Sequence, residues 1–175
     1  MKKHVFVATD GSDTAMRAVE LAAEIAASFA VPLTVGHVLH FGRPPEELER
    51  MANVEHLIEK VRETSGVDFP NVPDTMLHMF AESRPGDDSV RLMTLIGDEI
   101  LERAKDRAHQ LGAGSVATLS SQGDTADAIL DMAQGAKADM IVLGHRGLGR
   151  WKRAVLGSVA QKVLNHAKCT VVSVR

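Results

Sequence analysis

Aromatic side chains are scarce in these 175 residues: one Trp, no Tyr and five Phe. A surface that stacks unpaired bases needs several of them, so single-stranded nucleic acid is a poor partner. Charge of one sign is also missing, since 20 Lys and Arg face 23 Asp and Glu for a net charge of −3. Nothing in that balance drives binding to a phosphate backbone or an anionic membrane. The one cysteine, Cys169, excludes an internal disulfide framework and fits a reducing compartment. Long apolar runs are absent too. The opening from Met1 reaches Asp10 too soon for a signal-peptide core, and the alanine-rich stretch from Ala22 to Leu33 carries Glu24 and Pro32. A cytoplasmic protein is expected, with no nucleic-acid or membrane partner.

What is present is an alternation of strand and helix patterns. His4 to Thr9 is a β-branched run that stops at Asp10-Gly11-Ser12, a turn signal. From Thr14 to Phe29 the residues Ala15, Ala18, Val19, Ala22 and Ile25 or Ala26 recur at helical spacing, with Ser12 or Asp13 as cap and Pro32 as stop. Leu33 to Leu39 reads as a strand. Val90 to Leu111 predicts a helix with Ile96, Ile100, Ala104, Ala108 and Leu111 on one stripe, ended by Gly112. Val116 to Leu119 reads as a strand, Thr125 to Gln134 as a helix, and Asp139 to Leu143 as a strand buried on both faces. Ser158 to His166 predicts a helix and Thr170 to Val174 a last strand. Strands and helices in this order predict a parallel α/β sheet, helices on both faces, in a single domain over 1–175.

An insertion at about 42–88 interrupts the rhythm. Pro44-Pro45 before Glu46-Glu47 looks like a helix start, with Leu48, Met51, Leu57 or Ile58 and Val61 as its apolar stripe. The expectation is a surface excursion carrying one packed helix.

The segment Gly144 to Ser158 carries the chemistry. It leaves a buried strand and enters a helix, where unpaired N–H groups and the positive end of the dipole favour an anion. Its glycines allow positive φ and close approach to a ligand. Ser158 adds a hydroxyl, and Arg146, Arg150, Lys152 and Arg153 add positive charge, either to neutralise phosphates or as a solvated face. Close packing of helix on sheet would also use glycine here. Neither the G-K-[ST] of a Walker loop nor the dinucleotide spacing G-x-G-x-x-G is present.

Gly144, two residues, Gly147, nine residues and then Gly157-Ser158 resembles the G-x2-G-x9-G-[ST] motif of ATP-binding universal stress proteins. Val7-Ala8-Thr9-Asp10-Gly11-Ser12, His37-Val38, Gly123-Asp124 and Ala138 to Gly144 are similar to other motifs of that family, in the same order. The resemblance implies an open five-stranded parallel sheet of order 3-2-1-4-5, Rossmann-like and akin to the adenine-nucleotide α-hydrolase fold. It places Asp10 near base and ribose with Ala8 and Thr9 beside it, and Val38 at the adenine edge. Gly144, Gly147, Gly157, Ser158 and Val159 would hold ribose and phosphates, with His145 and Arg146 in the same loop. The implied ligand is ATP, with Mg²⁺ or Mn²⁺ bound through its phosphates; AMP or a cyclic nucleotide stays open.

No catalytic constellation stands out. Cys169 reads as a buried packing thiol, His37 and His40 lack a metal-ligand pattern, and Asp124 and Asp127 read as helix caps. Slow or no ATP hydrolysis and a regulatory protein partner are expected. The alternatives are a nucleotide hydrolase of the same fold, whose Ser-Gly-Gly-type loop after strand 1 is replaced here by Thr9 to Ser12, and an interaction module without nucleotide. The last strand should be a sheet edge, which a second copy of the chain would cover in a homodimer.

Overall fold

The computed structural model describes residues 3–39, 87–145 and 156–175. Its elements run β1 (Val5–Ala8), α1 (Asp13–Phe29), β2 (Leu33–Leu39), α2 (Asp87–Gln110), β3 (Val116–Gln122), α3 (Thr125–Gly135), β4 (Met140–Gly144), α4 (Ser158–His166) and β5 (Thr170–Val174). The strands form one parallel sheet in the order β3-β2-β1-β4-β5, the order the resemblance implies. Most of the insertion, including its expected helix, lies outside the described residues; Asp87 and Asp88 already belong to α2.

Side chains alternate across β1. Val5 and Val7 join Leu33, Val35, Met140 and Val142 under α1 and α2, where Ala18, Ala22, Ala104 and Ala108 let the helices come close. Phe6 and Ala8 join Val38, Ile141 and Leu143 under α3 and α4, through Ile129, Met132, Ala160 and Val163. Among the described residues each face therefore carries two helices, and the central strand is buried on both sides. Cys169 is half-buried rather than buried, at the margin of the second layer.

Several boundaries differ from the sequence reading; α2, for one, starts at Asp87 rather than Val90. Of the two caps the sequence offers for α1, Ser12 is the one used: its Oγ accepts from Ala15 N at 3.2 Å. Pro32 does not end that helix. The chain turns at Ala30, in the left-handed region at φ 52°, and the Pro32 carbonyl then accepts from Val5 N at 3.0 Å. β3 runs on through Ser120, Ser121 and Gln122 because their backbones keep pairing with His37, Val38 and Leu39. A polar run has no apolar periodicity to announce such an extension.

The sheet is tightest where β1 meets β2. A Cβ built on Gly36 would lie 2.3 Å from Phe6 Cζ, so the fully buried Phe6 ring occupies the space a side chain would need. That contact keeps the two strands in the register Ala8↔Gly36 at the end that matters for the site.

Candidate functional site

β1 is shorter than both its neighbours. Its pairing with β2 stops at Ala8↔Gly36 and with β4 at Ala8↔Leu143, while β2 continues through Val38 to Leu39 and β4 through Gly144. A crevice therefore opens above Ala8, walled by β2 on one side and β4 on the other. From its floor the chain leaves β1 toward α1 on one face of the sheet, and β4 leads on toward α4 on the opposite face. This divergence is the topological switch point at which open α/β sheets take their ligands.

The β1 side of the crevice is a turn held by its own side chains. Thr9 is buried, its N–H donates to the Gly36 carbonyl at 2.9 Å, and its Oγ1 accepts from Gly11 N at 3.2 Å. Asp10 Oδ1 accepts from Ser12 N at 3.0 Å, an Asx turn that leads into the Ser12 cap. Gly11 sits at φ +80°, which a side chain would resist, and a Cβ there would also press on Ile100 of α2 at 3.2 Å. Asp10 is half-buried at the rim. It serves the turn and borders the crevice at once.

On the other side, His145 ties three elements together. Its N–H donates to the Val174 carbonyl at 2.6 Å, its Nδ1 donates to the same oxygen at 3.1 Å, and its own carbonyl accepts from Gly157 N at 2.8 Å. β4, β5 and the start of α4 are thus clipped at one residue. The Gly157 N–H is consequently not available to a ligand, contrary to the sequence reading. Gly157 has φ −70° and ψ 153°, so it is not chosen for positive φ either. It is the N-cap of α4 without a side chain to cap it, whereas Ser12 caps α1 and Asp124 caps α3. Ser158, exposed, and Val159, half-buried, open the first turn of α4, whose N–H groups receive no hydrogen bond from a cap side chain.

The structure thus gathers Ala8, Thr9, Asp10, Val38, Gly144, His145, Gly157, Ser158 and Val159 at the carboxyl ends of β1, β2 and β4. Arg146 and Gly147, with Arg150, Lys152 and Arg153, lie outside the described residues. The sequence reading names His37 beside Val38 but gives it no role at the site. It is buried, and its Nδ1 meets the Thr9 carbonyl at 2.8 Å. The signals were its place in the His37-Val38 motif and a histidine in a strand that, Thr34 apart, has no other polar side chain. Among the described residues no three His, Cys, Asp or Glu side chains gather as a metal site.

This arrangement defines a doubly wound, Rossmann-like α/β protein with a topological switch point between β1 and β4. The chain belongs to the universal stress protein family, whose pattern matches residues 1–175. It is 33% identical over 172 residues to the universal stress protein Rv1636 of Mycobacterium tuberculosis, covering 98% of this chain and 95% of that protein. A universal stress protein solved in complex with cAMP superposes with a TM-score of 0.60 at 25% identity, covering 99% of this chain and 97% of that one. The universal stress protein UspA from Lactobacillus plantarum superposes with a TM-score of 0.68 at 21% identity, over 99% and 98% of the two chains, and shows the shared fold. Among the described residues no helix is long and apolar enough to cross a membrane.

Proposed function

We propose that this protein binds ATP in the crevice above Ala8 and uses occupancy, rather than rapid turnover, to signal. The observation that carries the reading is the pairing of the rigid Thr9–Ser12 turn with the uncapped start of α4 across one switch point. The turn and Val38 would line base and ribose. The N–H groups of Ser158 and Val159 would meet phosphate oxygens, helped by the positive end of the helix dipole. Gly144, Gly147, Gly157, His145 and Arg146 would complete the loop around the phosphates, with Mg²⁺ or Mn²⁺ held through those phosphates. The relative solved with cAMP supports an adenine nucleotide as the ligand class; the spacing of Gly144, Gly147 and Gly157-Ser158 favours ATP within it. In this reading the protein is a single domain of the cytoplasm, forms a homodimer through the β5 edge, and passes the occupancy of the crevice to a regulatory protein partner.

The test is calorimetric titration of nucleotide-stripped protein with ATP and Mg²⁺, beside Ser158→Glu. A glutamate in the first turn suits the helix dipole, so the fold should not suffer, but it sets a carboxylate where phosphate would lie. Micromolar binding weakened at least about tenfold in the variant is the expected result, a difference of about 1.4 kcal/mol. No binding to the wild type at millimolar ATP, or equal binding to both proteins, would refute the reading.

A further inference from the structure

We infer that His37 is the positioning residue of this crevice: from beneath the sheet's carboxyl edge its Nδ1 donates to the Thr9 carbonyl and so holds the turn that presents Asp10. The inference rests on the proposed nucleotide site for its functional meaning, but its structural content stands on separate contacts. Thr9 lies just past the last β1–β2 pair, so its carbonyl has left the regular ladder while still buried. A buried carbonyl needs a donor. The His37 ring supplies one at 2.8 Å. Because a carbonyl can only accept, Nδ1 must carry the proton.

The ring is itself fixed from behind. α2 crosses it at Gly97, where an added Cβ would lie 3.2 Å from His37 Cδ2 and 2.5 Å from Leu39 Cδ2. A side chain at position 97 would make Leu39 and the His37 ring give way. Thr9 is therefore held at three points: its N–H by Gly36, its carbonyl by His37, and its hydroxyl by the Gly11 amide. Asp10 follows directly, with its carboxylate already committed to the Ser12 amide. If the carbonyl is released, the peptide joining Thr9 to Asp10 can rotate, and the carboxylate loses its fixed place at the rim.

A series at this position separates positioning from general core packing. His37→Asn keeps a donor where Nδ1 sits; His37→Gln carries its amide one bond too far; His37→Leu removes the donor. Thr34→Val is the control, since Thr34 is another buried polar residue of β2 whose partner, His4 Nε2 at 2.8 Å, lies at the opposite end of the strand. Two readouts apply: ATP affinity by calorimetry, and amide exchange at Gly11 and Ser12, which needs no ligand. The expected result is about tenfold weaker ATP binding and faster exchange at both amides in His37→Leu and His37→Gln. His37→Asn should stay within about threefold of wild type, and Thr34→Val should change neither readout. Unaltered exchange in His37→Gln, or a Thr34→Val variant as impaired as His37→Leu, would overturn the inference. Should His37→Leu fail to fold, the Asn and Gln variants decide. A wild type that does not bind ATP sinks the proposed function instead, and the exchange series still decides whether His37 holds the turn.

Discussion

The residues that end the helices repeat one device. In α1, Ala30 N donates to the Ala27 carbonyl and Val31 N to that of Ala26; in α2, Gly112 N donates to His109 and Ala113 N to Ala108; in α3, Lys137 N donates to Gln134 and Ala138 N to Ala133. Each is a Schellman turn with its pivot at positive φ: 52° at Ala30, 92° at Gly112 and 54° at Lys137. Glycine stands only at the middle one. A side chain in that region costs about 1–2 kcal/mol, offset by about 0.4–1 kcal/mol of glycine's extra freedom in the unfolded chain. Ala30→Gly and Lys137→Gly, both exposed, should therefore each stabilise the protein by about 0.5–1 kcal/mol in urea unfolding. Gly112→Ala should cost a similar amount, from backbone strain alone, because its Cβ would meet Ala27 Cβ at an ordinary 3.7 Å. A stabilising Gly112→Ala would contradict this account.

Between elements, the junction of α3 and α4 depends on charge. Asp124 caps α3 by accepting from Ala126 N and Asp127 N, and Lys162 of α4 reaches both Asp124 and Asp127 at 3.1 and 2.8 Å. The Asp127 backbone hydrogen bond, then the Lys162 ammonium, hold the Asp124 carboxyl below its ordinary 3.8. The hydrogen bond from Lys162 to Asp127, then that to Asp124, hold the ammonium above 10.5. A depressed carboxyl contributes stability above its unfolded value and loses it as pH falls through the folded one. The melting-temperature difference between wild type and Asp124→Ala should thus be constant near neutrality and shrink as pH drops below about 3.8. Asp124→Asn, which keeps the cap but loses the charge pair, should fall between them near neutrality. A difference that grows on acidification would rule this out. The same pair of helices shows why α4 differs in kind: α3 starts on a charged cap, and α4 starts on a glycine with no side chain to cap its amides.

Across the whole molecule, the short central strand matters most. Because β1 ends before β2 and β4, the sheet has a notch at its centre, and helices leaving on opposite faces keep that notch open. Binding there draws only on the folded state, so a bound nucleotide should stabilise the entire cooperative unit. At a hundred times its dissociation constant ATP would add about 2.7 kcal/mol, which in a domain of this size raises the melting temperature by about 5–10 °C. Thermal unfolding with and without ATP and Mg²⁺ measures this directly. A shift that persists in full in Ser158→Glu would place the ligand elsewhere.

The elements and their order were legible in the residues, because period and turn chemistry are local. β2, α4 and β5 begin and end where apolar spacing puts them, and Gly112 marks its turn by type alone. The resemblance carried by Gly144, Gly147 and Gly157-Ser158 supplied the strand order and the residues of the crevice. Tertiary contact decided the rest. That Gly157 spends its N–H on His145, that β3 gains three polar residues, and that His37 reaches back to Thr9 all depend on partners distant in the chain. Hydrogen bonds of that kind leave no period behind them: a buried histidine and a packed one read alike until the carbonyl it serves is in place.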